Sequence, residues 1–249
     1  MSRGAFAFMG SGEFEPWHDD VDRWLLEHAN GDGTVLILPT ASAREGDEVF
    51  EGWATKGLRH YERLDVAASV VPIRSRADAD RREFVDALSS ASVVFFSGGN
   101  PWYLAETLRG SAFCEAMIER LAEGLAYAGC SAGVACLSEM TFDSDTEDFE
   151  QVFKPGLGFV RRTLFGPHWD MIDTWIPGAR EFITDSVPEG GRLVAIDEET
   201  AMVGDGSSWS VTGRSGVHVW ENGNWSDHVS GDGFSLELMD KPKPSVETG

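Results

Sequence analysis

Basic residues are scarce in this chain: 20 Lys and Arg stand against 42 Asp and Glu, for a formal charge of −22 at pH 7. Such a surface repels phosphate backbones and anionic headgroups. Nucleic acid and membrane surfaces are therefore excluded as partners, and cationic substrates are weakly favoured over anionic ones. Cysteine is scarce too. The three present, Cys114, Cys130 and Cys136, cannot close a paired disulfide framework, and their spacings match no zinc-ligand pattern. Each lies in an apolar neighbourhood, so a buried free thiol is expected. Long apolar runs are missing as well: nothing approaches the ~18 residues needed to span a bilayer. The apolar run in the opening MSRGAFAFMGSG is too short for a signal sequence and fits a first strand. A soluble, cytoplasmic protein is expected, with no cofactor and no metal.

What is present is enough hydrophobic residue, 42% of 249, to bury a full core. Continuous apolar runs at Ala5–Met9, Thr34–Leu38, Ala67–Ile73, Ser92–Phe96 and Leu125–Cys130 predict strands. Helical periodicity at Asp19–Ala29, Gly46–Leu64, Asp78–Leu88, Trp102–Arg109 and Phe113–Glu123 fills the gaps between them. This alternation predicts an α/β fold: a mostly parallel, flavodoxin-like sheet covered by helices on both faces. Ligands in such sheets bind beyond the strand C-termini, where Gly10-Ser11-Gly12, Pro39–Ser42, Gly98–Asn100 and Ser131 should converge. Further on come an apolar run at Val160–Phe165 and a helix at Trp175–Asp185. From Arg192 short alternating segments with Gly and Asn-Gly turns predict a C-terminal antiparallel extension of the same sheet. One domain over residues 1–240 is expected, with a disordered tail at 241–249.

The segment LAYAGCSAGV, Leu125–Val134, places G-x-S-x-G where a strand turns sharply into a helix. Crowding at that turn demands very small flanking residues. In return the Ser131 hydroxyl projects from the strand end, close to the N–H groups of the next turn. A serine needs a base. His18, His28 and His60 have charged neighbours and are expected at the surface, while His218 and His228 fall in the C-terminal strands. His168 follows an apolar strand and a Gly-Pro, at a strand's C-terminal edge, which makes it the best base. The acidic stretch Thr141–Glu150 offers Asp143, Asp145, Glu147 and Asp148. Its D-x-D-x-E spacing hints at a cation site but lacks the glycine of a calcium loop.

The segments FFSGGNPWYL (Phe95–Leu104), YAGCSAGV (Tyr127–Val134), LPTAS (Leu38–Ser42), GPHWD (Gly166–Asp170) and VAIDEETAMV (Val194–Val203) together resemble the dipeptidase E and cyanophycinase family of serine peptidases. That family has a class I glutamine amidotransferase-like fold, and the resemblance covers roughly residues 5 to 220. It implies a Ser–His–acid triad. Ser131 would be the nucleophile and His168 the general base; the 168 − 131 = 37 residues between them are far fewer than α/β-hydrolases use. The oxyanion hole would be Ala132 N–H with N–H groups of Gly99 and Asn100. The acid would lie fifteen to eighteen residues after the serine, which favours Glu147 and then Asp145.

The expected activity is therefore hydrolysis of a short peptide or isopeptide bond, aspartyl or β-aspartyl among the options, through an acyl-enzyme on Ser131. Arg161, Arg162 and Arg180 are candidates to hold a substrate carboxylate, and Trp102, Tyr103 and Trp169 to line an apolar pocket. Two alternatives stand: an amidase or esterase on the same triad, and a binding or regulatory relative without turnover. A glutaminase is disfavoured because Cys130 falls one position before the elbow centre. The substrate is a small peptide or amide, and a homodimer is the default assembly.

Overall fold

The computed structural model describes residues 4–146 and 151–239. Alternating strands and helices run β1 (Ala5–Met9), α1 (Asp19–His28), β2 (Val35–Leu38), α2 (Asp47–Arg63), β3 (Ala68–Val70), α3 (Arg82–Ala87), β4 (Val93–Phe96), α4 (Pro101–Leu108), α5 (Ala112–Glu123) and β5 (Ala126–Cys130). Next come α6 (Ala132–Ala135), β6 (Met140–Phe142), β7 (Phe153–Pro155), β8 (Thr163–Gly166), α7 (Ile172–Trp175) and α8 (Ala179–Asp185). The chain ends in β9 (Arg192–Ile196), β10 (Thr200–Gly204), β11 (Ser208–Gly213), β12 (Gly216–Glu221), β13 (Asn224–Val229) and β14 (Gly233–Ser235).

An eight-stranded sheet in the order β14-β11-β10-β1-β5-β4-β2-β3 forms the centre. Strands β1 to β5 pair in parallel, as their continuous apolar runs require when both faces are covered. Side chains alternate between the faces. Ala7, Met9, Ile37, Phe95 and Ala128 pack with Val21 and Leu25 of α1 and Tyr61 of α2. Phe8, Leu38, Phe96 and Tyr127 face the other way, onto Leu104, Phe113 and Met117 of α4 and α5.

The C-terminal half departs from expectation. Strands β10, β11 and β14 do extend the main sheet antiparallel, outward from β1. β9 and β12, by contrast, join β8 and β13 in a separate four-stranded sheet ordered β13-β12-β9-β8. Val194, Ile196 and Val217 of this second sheet pack against the main core. Alternating apolar residues mark a half-buried strand but do not say which sheet it joins, so both sets read alike in the sequence. The helix expected at Trp175–Asp185 is broken in two around Pro177 and Gly178, with Gly178 at φ 85°. Of the acidic stretch, Met140–Phe142 pairs with Phe153–Pro155 as a two-stranded ribbon.

Candidate active site

Four strand ends of the main sheet open on one edge: β1 into Gly10–Gly12, β2 into Pro39–Ser42, β4 into Ser97–Asn100 and β5 into Ser131. At the last of these the backbone turns from strand to helix on one residue, with Ser131 at φ 50° and ψ −106°. A non-glycine residue so placed is strained, and such strain persists where the surroundings over-determine it. The surroundings here are extremely tight. A Cβ on Gly129 would come 2.3 Å from the Gly133 carbonyl oxygen, and one on Gly133 would come 2.4 Å from the Phe96 carbonyl oxygen. Both glycines of G-x-S-x-G are therefore steric necessities.

Ser131 Oγ lies 2.8 Å from His168 Nε2. The histidine stands two residues beyond the end of β8, itself in left-handed backbone at φ 55°. Its Nδ1 is 2.9 Å from Glu198 Oε1. Glu198 lies in the three-residue link from β9, in the second sheet, to β10, in the main one. That link is pinned where the sheets meet. Ser11 Oγ accepts the Glu199 N–H at 3.2 Å, Asp170 Oδ1 accepts the Glu198 N–H at 2.8 Å, and a Cβ on Gly10 would come 2.0 Å from the Asp197 carbonyl oxygen. A hydroxyl, an imidazole and a carboxylate thus stand in hydrogen-bonded series, with side chains of His168 and Glu198 25% and 33% exposed.

Glu147, the acid that the spacing favours, lies outside the described residues. Asp143 and Asp145 are described and sit elsewhere. Asp143 is buried and accepts from Asn100 Nδ2 at 2.7 Å, and its Oδ1 also accepts the Asp145 N–H at 3.2 Å. Partial burial, with added repulsion from Asp145, raises the pKa of Glu45.

The G-G-N turn lies against Ser131: a Cβ on Gly98 would be 3.6 Å from its Cβ and 4.0 Å from its Oγ. Gly98 N–H is held by the buried Glu13 carboxylate at 2.8 Å, and Asn100 N–H by the Ala41 carbonyl at 2.9 Å. Asn100, expected in an oxyanion hole, thus has its N–H already engaged, and its side-chain Oδ1 caps α4 at Tyr103 N–H. Gly99 (φ 135°) and Ala132, the first residue of α6, leave their N–H groups without a backbone or side-chain acceptor among the described residues.

A serine hydroxyl hydrogen-bonded to an imidazole, with spare N–H groups beside it, is an arrangement that can carry acyl transfer. The model of peptidase family S51 matches residues 6–212. The chain belongs to peptidase family S51. A crystal structure of a peptidase from an acI-B1 Actinobacterium superposes with a TM-score of 0.85 and 30% identity, over 94% of this chain and 97% of that one. A peptidase E-type protein from Listeria monocytogenes EGD-e gives 0.61 and 19% identity over 85% and 99%, a likeness of fold. No curated protein sequence matches at a significant level. This S51 chain is accordingly a serine-type peptidase.

Other expectations resolve against the S51 framework. Arg161 and Arg162 are exposed, and Arg180 Nε donates to the Trp169 carbonyl at 2.8 Å with its guanidinium over the Trp169 ring. Trp169 is 6% exposed and packs with Leu164, Leu193 and Ala195 of the second sheet, and it also lines a surface cleft with Arg180 and Trp225. All three cysteines are free and buried. Cys130 Sγ points at Glu13 Oε2, 3.0 Å away, and burial and that carboxylate push its thiol far up. His18 and His60, expected at the surface, are buried: both reach Asp22 Oδ2, at 2.7 and 2.6 Å, while Tyr61 Oη donates to Oδ1 at 2.7 Å. Their ligand atoms lie within 4.8 Å of one another, a spacing that would suit a cation. The hydrogen bonds already satisfy the Asp22 carboxylate, so the trio is fully accounted for as a buried network. Among the described residues no helix is long and apolar enough to cross a membrane.

Proposed function

We propose that this S51 peptidase hydrolyses a short peptide or isopeptide bond through an acyl-enzyme on Ser131, with His168 as general base and Glu198 as the acid that orients it. The observation that carries this reading is the series Ser131 Oγ to His168 Nε2 to Glu198 Oε1, at 2.8 and 2.9 Å. As Oγ attacks the scissile carbonyl, its proton passes to Nε2. Glu198 fixes the tautomer that keeps Nε2 free to accept and offsets the positive charge that forms on the ring. The N–H groups of Gly99 and Ala132 would receive the oxyanion, each worth about 3 kcal/mol. Collapse breaks the C–N bond, and Nε2 returns its proton to the leaving amine. Water then attacks the ester by the same relay.

Aspartyl and β-aspartyl bonds are the first substrates to try. The engagement of Arg180 with Trp169 argues that a carboxylate-bearing substrate would need the Gly-rich turns or another cation. The three free thiols support a reducing, cytoplasmic setting. A fluorophosphonate probe should label wild type at Ser131 and fail on Ser131→Ala, and peptide hydrolysis should fall by roughly 10⁶ in that variant. Hydrolysis that survives Ser131→Ala would remove the assignment.

A further inference from the structure

We propose that Trp175 forms the wall of the subsite for the leaving-group residue, the one C-terminal to the cleaved bond, and selects large apolar side chains there. This rests on the acyl-enzyme reading above. The starting point is an indole that the core does not use: Trp175 is 54% exposed, and the adjacent Ile176 is 43% exposed. Exposing two large apolar side chains side by side forgoes burial energy, and such patches commonly mark a contact surface.

Its position supplies the role. The Trp175 ring lies 5.2 Å from the His168 ring, centroid to centroid, tilted by 57°. The short helix α7 that carries it starts on the base itself: the N–H groups of Met171 and Ile172 both donate to the His168 carbonyl, at 2.9 and 2.8 Å. The indole is thereby held in fixed relation to the imidazole.

Chemistry then sets which half of the substrate lies there. The proton that Nε2 takes from Ser131 must be handed to the leaving nitrogen, so that nitrogen has to approach within hydrogen-bond reach of Nε2. Its residue consequently passes on the imidazole side of the nucleophile. The carbonyl oxygen of the acyl half is drawn toward the free N–H groups of Gly99 and Ala132. A side chain extending from the leaving residue meets the open indole, a surface with apolar area to bury and an aromatic face to stack on.

The test uses a synthetic peptide pool with all residues represented at each position, with products identified by mass spectrometry, on wild type, Trp175→Ala and Trp175→Phe. Wild type should prefer Leu, Phe and other large apolar residues after the cleaved bond. Trp175→Ala should lower kcat/KM for those roughly ten-fold, through KM, and leave Gly leaving residues untouched, with Trp175→Phe restoring most of the loss. The rate of fluorophosphonate labelling should be the same in all three, because the departing fluoride carries no side chain.

No change on Trp175→Ala, an equal loss for Gly and Phe leaving residues, or slowed labelling would overturn the assignment; the last two would make Trp175 a positioning residue for His168. Wild type that neither labels at Ser131 nor cleaves any member of the pool would instead sink the acyl-enzyme reading, and the subsite with it.

Discussion

At the scale of single residues, two kinds of information met different fates. Ser131 and His168 were legible because each sits in a local pattern with a steric reason: glycines that the elbow cannot do without, and a Gly-Pro that ends a strand. Glu198 was not. It is the middle member of Asp197-Glu198-Glu199, and nothing within that run singles it out. What selects it is the parallel pairing of β8 with β9, in register Gly166 opposite Ala195. His168 follows the last residue of β8 by two positions, and Glu198 follows the last residue of β9 by two. A search for acids equally placed after neighbouring strands could have found it, had the second sheet been foreseen. Glu198→Gln keeps the shape of the side chain and removes its charge. It should retain the fold and lower kcat by roughly 10⁴, as measured on any substrate that responds to Ser131→Ala. An undiminished rate would mean that His168 takes its orientation from elsewhere.

At the scale of elements, the parallel strands and the helices between them up to Glu123 match the sequence reading to within a few residues, because apolar runs and 3.6-residue periodicity alternate there. The helix expected at Trp175–Asp185, by contrast, is interrupted. The other shortfalls were tertiary. Neighbouring charges made His18 and His60 look like surface residues, yet the charge they serve, Asp22 on α1, is itself buried. Burial pushes the Asp22 carboxyl up, but the charge of His18 and the hydrogen bonds from both histidines outweigh that and hold it at about 2. An acid depressed in the folded state stabilises the protein above its unfolded pKa of ~3.9, and that contribution is lost as pH falls toward the folded value. Between about pH 4 and pH 2 wild type should therefore lose about 2 kcal/mol from this group alone. Thermal melts of Asp22→Asn should begin lower at neutral pH and vary less across that acid window. Parallel pH profiles for the two proteins would show that Asp22 contributes nothing through its charge.

At the scale of the whole molecule, a formal charge of −22 is a property that no contact explains and every contact feels. Self-repulsion of this size opposes compaction, and salt shortens its reach from about 30 Å at 0.01 M to about 3 Å at 1 M. The melting temperature should rise over that range of sodium chloride. A fall would mean that surface ion pairs such as Arg63 with Asp19 and Arg74 with Glu51 outweigh the repulsion. At this scale the expected antiparallel extension forms from β10, β11 and β14, while β9 and β12 go to a second sheet. Period-2 patterning fixes which face of a strand is apolar and says nothing about its neighbours. The second sheet, which carries His168 toward Ser131, packs on the main one through contacts such as Phe8 with Phe165, residues far apart in the chain.

The thiol of Cys130, one position before Ser131, has a consequence in time. Soft electrophiles attack thiolates, and this sulfur is both sealed in and reluctant to ionise. A hard phosphorus reagent and a soft alkylating one would thus address adjacent residues under opposite circumstances, the first when the native sheet is closed and the second only when β5 has parted from its neighbours. The backbone of the elbow carries its own clock, in which alkylation at Cys130 marks an opening of the strand that presents Ser131.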